Sequence, residues 1–331
     1  MPADPIPFPT ADQAPPGFKK IDDLSKQQVL SQILQEHDVS QQQRKLRAES
    51  LKKIEDFEST PSATIGFLSS ANAAIDADDI PALGDVLMSV GDVDVLNLII
   101  SSPGGDGLVA EKIIEICRAY CKTFRVIIPN RAKSAATIIA LGADEIVMGY
   151  CSEIGPIDAQ VPIVVGGIPR YISAQSFINA RTKLEAEYQQ RVKNNIDAKD
   201  LLTQLATLDV PFIDHCEKLM DFSRDVAESN LRKHMFAGVK PKKAQDQLVN
   251  NVLKQLSATE LFKVHGRMID ANSAKTILKL KTRILPKDDE LWKAIWAYYV
   301  RAEVLFARNL FGKLIESKHE SLVQQNVMLS V

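Results

Sequence analysis

The feature that most constrains the fold is an alternation of short apolar runs with helix-like stretches between residues 64 and 148. The apolar runs predict four buried strands, Thr64–Leu68, Val93–Ile100, Phe124–Ile128 and Glu145–Met148. The stretches between them repeat apolar residues at helical spacing and predict helices over 79–90, about 108–122 and 134–142. Strands that are apolar on both faces and separated by helices of this length are typical of βαβ crossovers. The sequence therefore predicts an α/β fold built on a parallel sheet.

The segments on either side of this pattern have a different texture. Residues 1–17 hold six of the 16 prolines, which predicts an extended or disordered arm, and charged helical sequence follows to about Glu58 with a break at 38–40. Beyond Asp158 a helical period returns, near 173–196, 199–207, 211–235, 241–255, 271–281 and 288–317. We therefore expect an N-terminal arm over 1–60, an α/β core over 61–205 and a helical C-terminal region over 206–331. The C-terminal region is expected to complete the core and to supply oligomer interfaces.

Composition narrows the choice of partners and compartment. Charged residues make up 25% of the chain and the formal net charge is −2 with both signs interleaved, so neither nucleic acid nor an anionic membrane is expected as a partner. The N-terminus has prolines and an early acid in place of a basic and then apolar leader, and no run of about 18 apolar residues occurs. These features predict a cytoplasmic protein without membrane insertion.

The four cysteines favour free thiols over a metal site or disulfides. They lack the C-x-x-C spacing, and although Cys117 and Cys121 are four residues apart on a predicted helix, no nearby histidine or cysteine completes a ligand set. Buried thiols in a reducing compartment are the expected state. No metal and no cofactor is expected.

The loop Ser102-Pro-Gly-Gly105 follows the carboxyl end of a buried strand and precedes a helix. Its two glycines allow a close approach of the backbone to a ligand, and free N–H groups at a helix start are suited to holding an oxyanion. Taken alone, such a turn usually only reverses the chain. The loop lacks the Gly-Lys-Ser/Thr of a Walker loop and the spacing of a dinucleotide-binding fingerprint.

A second loop, from Pro129 to Lys133, ends at Ser134, which begins an apolar helix. A serine at this position favours helix capping for stability alone. It is equally placed for nucleophilic catalysis, because the helix dipole there favours developing negative charge. Since the two loops follow parallel strands, both are expected at the crevice where such sheets bind ligands. The chain has no G-x-S-x-G elbow, which excludes an α/β-hydrolase.

At this point the sequence resembles the Clp-protease/crotonase superfamily and, within it, the serine dehydrogenase proteinase family, which is related to signal peptide peptidase A. The resemblance runs from about Ser62 to near the C-terminus, with His265-Gly-Arg267 similar to a late element of the family. Its central motifs are Leu98–Gly105, Val126–Pro129, Ala132–Thr137, Ala143–Gly149 and Ser152–Gln160.

The resemblance implies a Clp-protease-like fold and assigns roles to individual residues. Ser134 is implied as the nucleophile, with the N–H groups of Gly105 and Ala135 as the oxyanion hole. Gly104 and Asp158 are implied as substrate-binding residues; Gly104 also shapes the loop, and Asp158 could also orient a base or close the Gly-Pro turn. Relatives form trimeric or hexameric rings, so a homo-oligomer is expected.

The base is where the sequence departs from the Clp pattern, because the stretch Gly155–Gln160 has no histidine. A serine hydroxyl near its free pKa is a poor nucleophile without a base. Two replacements are open: Lys183, which would give a Ser–Lys dyad if its amine is neutral, and His265, which also suits a structural role. Lys133 is adjacent to Ser134, but neighbouring side chains diverge.

These observations predict a soluble serine peptidase that cleaves peptide bonds in protein or peptide substrates through an acyl-enzyme on Ser134. A catalytically silent scaffold that keeps the fold for assembly or binding is the first alternative, and the absent histidine supports it. A crotonase-type acyl-CoA enzyme is the second. The serine at the helix start and the lack of a suitable Glu pair near the loops argue against it.

Overall fold

The computed structural model describes residues 39–165, 168–257, 268–309 and 311–325. The helices are α1 (Val39–Glu55), α2 (Asp79–Val90), α3 (Gly107–Ala119), α4 (Ala135–Leu141), α5 (Ala174–Lys193), α6 (Lys199–Ala206), α7 (Val210–Asn230, continued by a π-helical turn, Leu231–Met235), α8 (Lys242–Ser257), α9 (Ala271–Thr276) and α10 (Glu290–Asn309). The strands are β1 (Ser62–Ser69), β2 (Val93–Ser101), β3 (Cys121–Ile128), β4 (Arg131–Ala132), β5 (Glu145–Met148), β6 (Glu153–Ile154), β7 (Gln160–Val165), β8 (Ile168–Ser173), β9 (Ile269–Asp270), β10 (Thr282–Ile284), β11 (Phe311–Glu316) and β12 (Ser321–Gln325).

The central sheet has the order β10-β5-β3-β2-β1-β11-β12 among the described strands. The strands from β10 to β1 pair in parallel, and β11 and β12 add an antiparallel edge. The four strands predicted from the sequence are all present, and helices connect β1 to β2, β2 to β3 and β3 to β5. The predicted α/β fold with βαβ crossovers is therefore confirmed.

The sheet is covered on both faces, which explains why its strands read as continuous apolar runs. Alternate residues of β2 face opposite sides, since Leu98 and Ile100 join one core while Ile99 joins the other. The first core is covered by α2, α3, α4 and the C-terminal helices α7 and α8, and the second by α1 and α10. The β2 and β3 loops therefore emerge at one end of a three-layer domain.

Helix α1 is the described part of the predicted N-terminal arm; residues 1–38 lie outside the described residues. It packs against α10, and its face toward the protein is partly polar. Arg47 is buried and its Nε lies 2.7 Å from Glu316 Oε1 on β11. The described part of the charged segment therefore packs on the core through α10 and β11.

The C-terminal region is not purely helical as predicted, because strands β9 to β12 lie within 206–331, and the largest departure is at the end of α10. Helix α10 ends at Asn309, and 311–316, which the helical period had included, forms β11. This strand is buried and pairs with β1 over Gly66–Ser69. Local periodicity cannot distinguish a short apolar run from the end of a helix when the partner strand lies more than 240 residues earlier.

Between the core and α7 the chain forms an extension, the helical arm, which consists of the β7–β8 hairpin and helices α5 and α6. The hairpin pairs only within itself among the described strands. Along the 20 residues of α5, Ala174 is buried and the other described side chains are partly or fully exposed. No helix in the described ranges combines the length and apolarity needed to cross a membrane.

Candidate active site

The two loops identified from the sequence lie side by side. Ser102 pairs with the segment before Ser134: its N–H donates to Arg131 O (3.0 Å), and its carbonyl accepts from Lys133 N–H (3.2 Å). Gly104 approaches the serine so closely that a Cβ built on it would lie 2.7 Å from Ser134 Cβ. The fold therefore brings Ser134 and the Pro-Gly-Gly turn into direct contact.

Ser134 has an unusual backbone conformation for a residue with a side chain. Its φ is 48° and its ψ is −117°, a sparsely populated combination that costs on the order of 1–3 kcal/mol and occurs preferentially at functional sites. The hydroxyl makes no capping hydrogen bond to α4. Helix capping therefore does not explain the serine at this position.

The glycine turn presents one of its N–H groups to the solvent side. Gly104 N–H donates to Ser102 Oγ (3.1 Å). Gly104 O accepts a hydrogen bond from Ile75 N–H (2.8 Å), and Asp106 N–H donates to Ile75 O (2.9 Å). The N–H of Gly105, between them, takes no part in this pairing with Ile75. Gly105 is exposed and has φ 152°, and a Cβ there would lie 2.3 Å from Ile75 O. Only glycine fits this position.

Ala135 offers a second N–H group beside Ser134. It is the first residue of α4, where an N–H has no acceptor within its own helix. Within the described residues, neither the Ala135 N–H nor the Gly105 N–H donates a hydrogen bond. Two unpaired donors therefore flank the strained serine.

Ser134, Gly104, Gly105 and Ala135 line one cavity of about 700 Å³. Its walls are mainly apolar and come from the segment before α2 and from α3, α4 and α7. The apolar side chains are Ile75, Leu108, Ile138, Leu219 and Phe222, and the polar ones are Asn72, Asp106, Gln160 and Ser223.

Asp158 lies next to the cavity wall without lining it. The side chain of Asp158 is buried. Two residues earlier, Pro156 O accepts a hydrogen bond from Ser134 N–H at 3.2 Å, so this segment contacts the nucleophile loop. Ala159 and Gln160, which follow Asp158, do line the cavity. Asp158 therefore belongs to the segment that supports Ser134 from below.

The candidates for the base are not brought together with Ser134 in the described structure. Lys183 is exposed on α5 and does not line the cavity. Lys133 is directed away, with its Nζ 2.7 Å from Glu153 Oε1. His265 lies outside the described residues. Among the described residues that line the cavity there is no histidine or lysine.

The described residues contain no group of three or more His, Cys, Asp and Glu side chains arranged to hold a metal ion. The four cysteines are free thiols, and Cys117 and Cys216 are buried. Burial raises the pKa of the Cys121 thiol to about 11. At neutral pH this thiol is therefore protonated and unreactive.

Sequence reasoning missed the cavity residues that lie far from the two loops. Ile75 precedes α2, and Leu219 and Phe222 lie on α7, about 90 residues after the nucleophile loop. In the sequence, these apolar residues predict only a helix or a place in the core, and they do not indicate a cavity. The contact of these residues with the loops is a product of the tertiary fold.

Comparison with known proteins agrees with this geometry. Residues 64–197 match a family model described as ClpP-like SDH-type serine proteinase. An uncharacterized protein of Methanocaldococcus jannaschii, MJ0137, is 42% identical over 66 residues, and a second one, MJ1495, is 41% identical over 66 residues. Each alignment covers 20% of this chain and 23% of the relative, so this chain spans about a quarter of the relatives' length.

The matched segment contains most of β1, all of β2 to β8, the glycine turn, Ser134 and the whole of α5. Cavity residues on α7 lie beyond it. Over residues 64–197 this chain is therefore similar to ClpP-like SDH-type serine proteinases.

Proposed function

We propose that this protein is a serine peptidase in which Ser134 forms an acyl-enzyme. The observation that carries the proposal is the strained, uncapped Ser134, which lines a cavity beside the two unpaired N–H groups of Gly105 and Ala135. A nucleophile next to preorganised donors is the arrangement that acyl transfer requires.

The proposed reaction proceeds in two steps. Ser134 Oγ attacks the peptide carbonyl carbon, and its proton passes to a base and then to the leaving amine as the C–N bond breaks. The N–H groups of Gly105 and Ala135 donate to the oxyanion, and losing one such donor typically costs about 10²–10³ in rate. In the second step the base takes a proton from water as the water oxygen attacks the acyl carbon. The bond from that carbon to Ser134 Oγ breaks, the base passes the proton to Oγ, and the product leaves as a carboxylic acid that ionises in solution.

We propose His265 as the group that accepts the proton, with Lys183 as the second candidate. His265 is favoured because Lys183 is exposed on α5, outside the cavity lining. His265→Gln and Lys183→Met are to be compared, with Lys193→Met as a control on the same helix.

The base is identified by the rate at which a fluorophosphonate probe labels Ser134. Removal of a general base lowers the rate by about 10²–10⁴, whereas Lys193→Met leaves it unchanged. If both His265→Gln and Lys183→Met react at the wild-type rate, neither residue is the base.

Labelling at Ser134 also tests the function itself. The wild-type protein, in its assembled state, is treated with the fluorophosphonate and the adduct is mapped by mass spectrometry beside Ser134→Ala. We expect an adduct on Ser134 that the variant loses. A folded, assembled wild-type protein that takes up no label would overturn the peptidase proposal in favour of the silent scaffold, and tight acyl-CoA binding would favour a crotonase-type enzyme.

A further inference from the structure

A fully buried hydroxyl lies beneath the nucleophile, on Thr137 in the first turn of α4. Thr137 Oγ1 lies 2.7 Å from Ala132 O and 3.0 Å from Gly155 O, and it accepts from Gly155 N–H at 3.3 Å. A hydroxyl carries one proton and two lone pairs. Its proton therefore lies between two carbonyl acceptors, and one of its two lone pairs accepts the bond from Gly155 N–H.

The partners of Thr137 lie on both sides of Ser134. Ala132 is in the strand that leads into the serine, and its carbonyl also accepts from Gly155 N–H at 2.9 Å. Gly155 precedes Pro156, whose carbonyl accepts from Ser134 N–H at 3.2 Å. The loop before the serine, the helix after it and the supporting strand thus meet at one oxygen atom.

This contact differs from an ordinary threonine in a helix. Such residues usually return their hydroxyl to a carbonyl one turn earlier, as Thr203 does with Lys199 O at 2.9 Å. The partner Gly155 is 18 residues away and belongs to a different segment. Helix stability alone therefore gives no reason for the bond to Gly155.

The backbone of Ser134 needs external support, because its φ of 48° is unfavourable. A strained conformation persists only where the surrounding structure over-determines it. The hydrogen bonds of Thr137 fix the backbone at Ala132 and at Gly155. Ala132 is joined to Ser134 through Lys133, and Gly155 is followed by Pro156, whose carbonyl accepts from Ser134 N–H. Without the hydroxyl, two buried carbonyls lose a donor and this frame loosens.

We propose that Thr137 is a positioning residue that aims Ser134 at the oxyanion donors. The inference rests on the proposed peptidase function and adds a residue that touches neither substrate nor the reacting atoms. It acts through the backbone of residues 132–134 and 155–156.

The test compares Thr137→Val, which keeps the shape and removes the hydroxyl, with Thr137→Ser, which keeps the hydroxyl. The readout is the second-order rate of fluorophosphonate labelling at Ser134, divided by the folded fraction. Thr137→Val is expected to react about 10- to 100-fold more slowly, because a misplacement of 1 Å costs up to about 10²-fold. Thr137→Ser is expected to stay within about threefold of wild type on the same reasoning.

Thr64→Val is the matched control, since Thr64 is a fully buried threonine in β1 whose Oγ1 accepts from Asn97 Nδ2. It is expected to change the midpoint of urea unfolding without changing the labelling rate of the folded protein. If Thr137→Val does not fold, Thr137→Ala takes its place in the same comparison.

The outcomes separate the two proposals. A folded hydroxyl-free variant that labels at the wild-type rate overturns the positioning role while leaving the peptidase function intact. Equal slowing in Thr137→Ser, where the hydroxyl is retained, overturns it as well. Absence of labelling in the wild-type protein is a failure of the proposed function and is recognised before any variant is made.

Discussion

Gly104 and Ser134 lie so close together that a single added methyl group tests the site. A Cβ on Gly104 would lie 2.7 Å from both Ser134 Cβ and Lys133 O, and its φ of 105° disfavours any side chain. We expect Gly104→Ala to displace the serine and to lower fluorophosphonate labelling by at least about 10²-fold. Labelling kinetics at Ser134 and circular dichroism measure the two consequences separately.

Gly84→Ala is the control for this prediction. Gly84 lies within α2, and a Cβ there meets nothing within 4 Å. Alanine is the better helix former by about 1 kcal/mol, so this variant should gain stability in urea unfolding and keep the wild-type labelling rate. A Gly104→Ala protein that labels normally would show that the contact does not position the nucleophile.

At the residue scale, motifs identified Ser134 and the glycine turn, because each residue type meets a local requirement. A serine at a helix start and glycines before a helix are visible in a single sequence. The sequence left open whether the serine caps the helix, and the absence of a capping bond decides against that. The orientation of Ser134 follows from pairing between three segments, which no local pattern encodes.

At the scale of elements, β11 connects the C-terminal part of the chain to the glycine turn through an ion cluster in which Lys313 and Asp79 are buried and Asp76 is exposed. Lys313 Nζ on β11 lies 2.7 Å from Asp76 Oδ2 and 2.8 Å from Asp79 Oδ1. Asp76 and Asp79 follow Ile75, whose backbone pairs with Gly104 and Asp106. A strand outside the matched segment therefore braces the turn.

We expect Lys313→Met to destabilise the protein by about 3–5 kcal/mol, because it leaves a buried carboxylate without its counter-ion. Urea unfolding measures the loss. Lys122→Met, which breaks an ion pair with Asp94 on the surface, is the control and should have no measurable effect. Similar stabilities for the two variants would contradict the importance of the cluster.

The cost of Lys313→Met should also depend on pH. Burial raises the pKa of the Asp79 carboxyl above its usual value, while Lys313 lowers it. In Lys313→Met the ammonium group that lowers this pKa is absent, so the pKa of Asp79 rises further. When the pKa of a carboxyl is higher in the folded than in the unfolded protein, its protonated form stabilises the fold. This contribution is complete below the unfolded-state pKa and is lost as the pH rises through the folded-state pKa. The destabilisation should therefore be larger at pH 7.5 than at pH 4.5.

The elements that could be predicted are those whose pattern is long or repeated. Strands β1, β2, β3 and β5 and helices α2, α3 and α4 follow from periodicity and from the punctuation of the loops. Strand β11 could not be predicted, since its identity as a strand depends on pairing with β1. The β7–β8 hairpin was missed because no element was predicted over 159–172, although apolar runs on either side of the Gly166-Gly167 pair are a signal for a hairpin.

At the scale of the whole molecule, the helical arm carries exposed apolar residues. Val192, Ile196, Leu202 and Val210, on the arm and at the start of α7, are each more than half exposed. Contiguous exposed apolar surface is typical of protein interfaces. We propose that this arm makes contacts between copies of the chain.

We expect the wild-type protein to sediment as a multiple of 36.6 kDa, at a trimer or hexamer mass. The double variant Ile196→Glu with Leu202→Glu should shift the mass toward the monomer, because it places charges in an apolar contact. Met88→Glu, at an exposed position on α2, is the control and should leave the mass unchanged. A monomeric wild-type protein would refute the expectation.

The sequence by itself determined the parallel α/β core, the glycine turn and the position of Ser134, because these depend on periodicity and on residue types that act locally. Only the tertiary structure decided the strained backbone conformation that orients Ser134, the contribution of α7 to the cavity wall, and the contact of β11 with the segment that pairs with the glycine turn. Each of these is a contact between segments that are distant along the chain. Such contacts arise from packing and backbone pairing, and the pattern around any one residue does not specify them.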